Sequence, residues 1–260
     1  MADTSRPEGD QRPAVVASLR LRAIMEASLR IWRRDFQSLT VLAAGLEVPL
    51  VAADIVLHVT PGLKNLVDDD FTLTGAALVV LVYGSLSHHF LAGLLERVVA
   101  SERRGHHRPA LREVLFDLPW GRLIIADLLL TTMIAAGLAL LVVPGLVALT
   151  WFSVTLPIVN LERNPVLASF TRSYHLVRGY SWRVFAVAVC AFAIPEFVIG
   201  AIASLTHDFT HNAALGAIGH AIPAVVLMPI GALPIVILAF DLVDLDSDAT
   251  SETDATNQSF

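Results

Sequence analysis

Lysine and cysteine are almost missing from this chain: Lys64 is the one lysine and Cys190 the one cysteine in 260 residues. A lone cysteine excludes an intramolecular disulfide and leaves the redox compartment open. The near absence of lysine fits GC-rich coding rather than a mechanism. Charge of either sign is also scarce, at 16% of residues against 55% hydrophobic. A soluble domain of this size carries more charge than that. The apolar residues fall in runs of about twenty, the length that crosses ~30 Å of hydrocarbon at 1.5 Å per residue. A large soluble core would need interior helices with polar faces, and these runs have few.

Other signals are missing too. Met1 to Arg12 lack the apolar core of a secretory signal, so the first span is expected to act as an internal anchor. No basic stripe carries an aromatic stacking platform, which argues against nucleic acid as a partner. There is no glycine-rich phosphate loop, nucleophile elbow or zinc-protease motif. No catalytic residue, cofactor or metal site is therefore expected, and the protein reads as a non-enzyme. His207, Asp208 and His211 form a weak i, i+4 metal pattern, and they and His106-His107 read as solvated loop residues.

What the chain does have is a one-sided distribution of arginine. The basic residues form three blocks, Arg6 to Arg34, Arg97 to Arg122 and Arg163 to Arg183, and Lys64 stands apart beside Asp68, Asp69 and Asp70. Short basic loops stay cytoplasmic during insertion. Six spans with both termini inside satisfy that rule almost completely, at roughly 39–58, 71–93, 123–143, 145–160, 184–205 and 215–240. The expected fold is thus all-α, a six-transmembrane-helix bundle in the cytoplasmic cell membrane, with residues 14–240 as the membrane domain.

Flanking it, residues 1–13 read as a disordered leader and 241–260 as an acidic, disordered tail that anionic headgroups would repel. Residues 14–36 place Leu21, Met25, Leu29, Trp32 and Phe36 at helical spacing, with Arg20, Arg30, Arg33 and Arg34 on other faces. That is an amphipathic helix, lying on the inner leaflet or packed on the bundle end. Pro144-Gly145 is expected to turn span three into span four. Asn164-Pro165 and Gly179 bracket a short inner helix as N-cap, first-turn proline and C-terminal stop, with Leu167, Phe170, Tyr174 and Val177 on one face. A second such segment is expected from Pro109 to about Asp117.

Two stretches resemble a known family. The first is Leu21 to Arg34, ending in Trp32-Arg33-Arg34. The second runs from Pro144-Gly145 through Trp151, Pro157, Glu162 and Ala168 to Arg172-Ser173, Leu176-Val177-Arg178-Gly179 and Trp182-Arg183. Both are similar to a bacterial family of polytopic proteins related to the membrane domain of glycerophosphoryl diester phosphodiesterases. The resemblance implies a six-span membrane module without the catalytic barrel, since the barrel's His-Arg pair and Glu-x-Asp metal motif are absent.

Ionisable groups inside spans cost at least ~2.5–3.5 kcal/mol and mark functional interiors. Glu47, Asp54, Glu196 and His220 fall from mid-membrane outward, and His88, His89 and Asp127 near the inner ends. Glu47 and Asp54, seven apart, share a helical face. Glu196 follows Pro195, where a kink is expected, and Pro223, Pro229 and Pro234 are expected to loosen span six. Glu47 and Glu196 would share a polar cavity in a small transporter or permease; the alternative is that these groups are structural caps and pairs. Arg172, Arg178, Trp182 and Arg183 are the candidate contacts to anionic phospholipid headgroups, or else topology determinants. The favoured function is a non-enzymatic protein that organises lipid or a membrane-protein partner through its basic cytoplasmic face.

Overall fold

A computed structural model describes residues 21–59, 91–92, 95–100, 103, 119–210 and 213–257. Every regular element among them is helical. These are α1 (Leu21–Val59), α2 (Trp120–Leu140), α3 (Val142–Phe152), α4 (Thr155–Leu161), α5 (Val166–Arg178), α6 (Ser181–Thr210) and α7 (Ala213–Asn257), with a further helical segment at 95–100. Among the described residues four stretches are long and apolar enough to cross a bilayer: Trp120–Leu140, Val142–Leu161, Ser181–Thr206 and Ile218–Ser251. Their outer faces are apolar. Ile124, Ile125, Leu128 and Leu129 are exposed on α2, and Ile194, Phe197, Ile202, Leu205 and Phe209 on α6. Contiguous apolar surface on this scale marks contact with membrane, and the protein is membrane-embedded. Of the other two expected spans, 39–58 is helical as the second half of α1, and nearly all of 71–93 lies outside the described residues.

α1 is bent at Asp35, whose φ −110°, ψ 17° are non-helical. The bend falls where the amphipathic stretch gives way to the expected first span. Ile24, Ser28, Ile31, Asp35, Leu39 and Leu42 are all buried, a stripe at i, i+4, i+7 and i+11 spacing. It packs on α7, and Trp32 Nε1 donates to the Val226 carbonyl at 3.1 Å. α7 is central, packed between α1 and α6, with every residue from Gly231 to Leu242 buried.

α7 corrects the expectation of a disordered tail beyond 240, because the helix continues to Asn257. It also runs unbroken through Pro223, Pro229 and Pro234, and α6 runs through Pro195. Packing on both flanks outweighs the bonds that the prolines remove.

The α2–α3 reversal is another correction. Its break is the single extended residue Leu141 (φ −166°, ψ 146°), and Pro144 and Gly145 lie inside α3. Proline in a first helical turn loses no bond, since that N–H has no intrahelical acceptor. Gly145 is there for space: a Cβ on it would sit 2.8 Å from the Leu138 nitrogen, and one on Gly137 would sit 2.8 Å from the Gly145 Cα. The two helices cross glycine on glycine. Between α3 and α4 the chain resets at Ser153–Val154. Pro157 lacks the N–H that would bond the Ser153 carbonyl, so the helix restarts one turn before it.

Candidate functional site

α5 begins one residue later than expected. Pro165, at φ −57° and ψ 148°, is the N-cap, and its carbonyl accepts from the Ser169 amide at 3.0 Å. Asn164 instead donates through Nδ2 to Glu162 Oε2 at 2.7 Å. Gly179 ends the helix as expected. The buried face is Ser169, Ser173, Leu176 and Val177, while Leu167 is 74% exposed. Small serines let α5 approach α3 closely, and Ser173 Oγ donates to the Trp151 carbonyl at 2.8 Å. Tyr174 meets the Trp151 ring edge-on at 5.1 Å, and Phe170 lies against Phe152 at 5.3 Å.

That placement sends Arg172 into the protein's own charge network. Its Nε donates to Glu162 Oε1 at 3.0 Å and its Nη1 to Asp246 Oδ2 at 2.7 Å. Burial opposes the guanidinium charge, but the hydrogen bonds and charges of Asp246 and Glu162 outweigh it and hold its pKa above the ordinary value. A cation with a raised folded pKa stabilises the fold below its unfolded pKa and loses that contribution only as pH rises through the folded one. For arginine that window lies beyond any working pH, so Arg172 stays charged throughout.

Arg103 grips the same end of α7 from another side. Its Nη2 donates to Asp241 Oδ1, its Nη1 donates to Asp244 Oδ2 at 2.9 Å, and its guanidinium lies 5.0 Å from the centre of the Phe240 ring. The two arginines thus clasp the acidic extension of α7, which composition alone assigns to solvent.

The other expected headgroup contacts, Arg178, Trp182 and Arg183, are all exposed at the α5–α6 junction. Trp182 is 79% exposed and stacks on Phe185 at 5.4 Å. Both rings border an apolar groove of about 270 Å³, whose far wall is Val143, Leu146 and Val147 of α3. Of the three, Trp182 lines the groove, and Arg178 and Arg183 lie outside its lining.

The intramembrane candidates separate by environment. Glu47 and Asp127 are fully buried, whereas Glu196 lies on an exposed face of α6 and His220 is half-buried. A cavity shared by Glu47 and Glu196 does not fit that difference, because one faces the packed interior and the other the outer surface. Asp54 is on α1, with its side chain outside the described set, and His88 and His89 lie outside the described residues.

A buried polar pair went unnoticed in the sequence: Asn160 Nδ2 donates to Glu96 Oε2 at 2.9 Å, with both residues buried. Only the position of Glu96 at the end of an apolar run could have flagged it. Asn160→Ala is expected to lower stability by about 1–3 kcal/mol, the cost of removing a donor from a buried carboxylate. Thermal unfolding in detergent measures that loss, and Asn160→Gln should recover part of it.

Among the described residues no group of three or more His, Cys, Asp or Glu side chains is arranged to hold a metal ion. The chain matches no protein-family model, no curated protein and no solved structure.

Proposed function

We propose that this protein is a non-enzymatic membrane module, with six spans and both termini on the cytoplasmic side, that organises anionic phospholipid through its basic cytoplasmic face. The observation that carries this reading is the exposed set Arg178, Trp182 and Arg183 at one helix junction, with Trp182 lining an apolar groove. Cations next to anionic headgroups gain roughly 1 kcal/mol each. Tryptophan favours the membrane–water boundary, where its ring is apolar and its N–H stays wet. Arg172, held by Glu162 and Asp246, is assigned to the fold instead of to the lipid. The resemblance to the membrane domain of glycerophosphoryl diester phosphodiesterases supports the same module without a hydrolytic centre.

The test is Arg178→Glu with Arg183→Glu in the full chain, purified in mild detergent. Co-purifying anionic phospholipid should fall about fivefold or more, following two lost attractions of ~1 kcal/mol each and two new repulsions. Cysteine-accessibility mapping of both termini is run alongside. Lipid loss with unchanged topology supports the proposal. Inverted topology with normal lipid content would reduce these arginines to insertion signals.

A further inference from the structure

A second cationic site lies between α1, Val99 and Arg103, and α7. Its cavity, of about 430 Å³, is lined by Arg30, Arg34 and Arg103 together with Ile31, Val99 and Ile237. Arg30 and Arg34 are one helical turn apart on α1 and so project side by side. Arg103 also lines it, held by Asp241, Asp244 and the Phe240 ring. Arg34 Nη2 is 3.3 Å from Asp35 Oδ2, a long contact to a carboxylate that itself is buried. Arg30 is exposed and makes no ion pair among the described residues. Among the described residues, the charged groups lining the cavity are Arg30, Arg34 and Arg103, and Asp35, Asp241 and Asp244 do not line it.

Three guanidinium groups converging on an apolar floor have a specific chemical complement. Guanidinium forks match phosphate oxygens in pairs, and the isoleucine and valine floor accepts carbon rather than water. We propose that this cavity binds one phosphate ester whose carbon skeleton rests on Ile31, Val99 and Ile237. The ester is either a membrane phospholipid headgroup or a soluble glycerol phosphate. The arrangement deepens the lipid-organising reading by adding a discrete, saturable site to a basic surface, and it rests on different residues. The bend at Asp35 sets the direction of the α1 segment that carries Arg30 and Arg34, and the clasp on α7 sets Arg103.

Full-chain protein in nanodiscs of neutral phosphatidylcholine with added phosphatidylglycerol is examined by native mass spectrometry, and glycerol 3-phosphate is titrated against lipid-depleted protein in neutral detergent. One ligand per chain is expected, with at least a tenfold loss of occupancy-based affinity in Arg30→Gln/Arg34→Gln. Arg30→Lys should keep most of it, and Arg178→Gln/Arg183→Gln should leave glycerol 3-phosphate binding unchanged. Retained phosphatidylglycerol without glycerol phosphate binding assigns the site to the lipid headgroup; saturable glycerol phosphate binding with the same arginine dependence assigns it to the soluble ester. Equal binding by wild type and Arg30→Gln/Arg34→Gln overturns the site. If only Arg178 and Arg183 affect lipid retention, the surface reading stands and the cavity falls. If only Arg30 and Arg34 do, the cavity stands and the surface reading falls.

Discussion

Gly231→Val should leave little folded protein, and Gly231→Ala should cost about 1–3 kcal/mol, the usual penalty for overpacking a close-packed interior. The reason is a backbone contact. A Cβ at Gly231 would lie 2.5 Å from the Ala191 carbonyl oxygen and 3.3 Å from Pro195 Cγ. That carbonyl is the one Pro195 cannot bond, because proline has no N–H to give to the residue four positions back. The bare glycine of α7 therefore sits against the polar gap that proline opens in α6. Neither obstacle can swing aside, since one is main chain and the other a ring locked in a helix. Gly200→Ala is the control: it lies in the same helix as Pro195, and a Cβ there meets nothing within 4 Å. It should raise stability by up to about 1 kcal/mol through helix propensity. Thermal unfolding in detergent compares the three variants, and an unchanged melting temperature for Gly231→Ala would refute the close-approach reading.

Asp241→Asn combined with Asp246→Asn is expected to lower stability by about 2–4 kcal/mol and to release the end of α7 to protease. A hydrogen bond to a charged partner contributes about 1.5–3 kcal/mol, and partial solvent exposure of Arg103 and Arg172 reduces that by screening. The Arg103–Asp241 contact is the better buried of the two, with side-chain exposures of 33% and 11%. In wild-type protein, limited proteolysis should spare the residues up to about 250. In the double variant, cuts should appear after 241. Equal cutting of both proteins would show that the acidic extension is not held by this clasp. Arg172→Lys should weaken the second half of the clasp, because an ammonium cannot bridge Glu162 and Asp246 with the geometry of a planar guanidinium.

Much of the helical organisation was legible because it is local. The bend near Phe36 follows from a change between an arginine-bearing stripe and an apolar run. The stop at Gly179 follows from glycine after the last periodic residue. The membrane-length runs follow from composition alone. The buried face of α5 departs from its apolar face for an equally physical reason. Leu167, Phe170, Tyr174 and Val177 share an apolar face by spacing, but the buried face is Ser169, Ser173, Leu176 and Val177, because close approach to α3 favoured small hydroxyl-bearing residues. In a lipid-facing helix, hydrophobicity no longer tells inside from outside. Gly145 was read as a turn because glycine in sequence next to proline suggests φ freedom, whereas its function is to have no Cβ.

The candidate site was half legible. Arg178, Trp182 and Arg183 are exposed at one junction, as a basic and aromatic cluster at a span boundary suggests. Arg172, in the same motif, is taken up by Glu162 and Asp246.

The sequence by itself determined that this chain is helical and membrane-embedded, and where α5 ends. Those properties depend on residue spacing and transfer free energy, which act over one or two turns. Only the tertiary structure decided how its charges are used. Arg103 meets Asp241 and Asp244 across 138 and 141 residues, and Arg172 meets Asp246 across 74. Charge attraction at such separations leaves no periodic trace in the chain, so an acidic stretch that composition assigns to solvent becomes the anchor of the central helix.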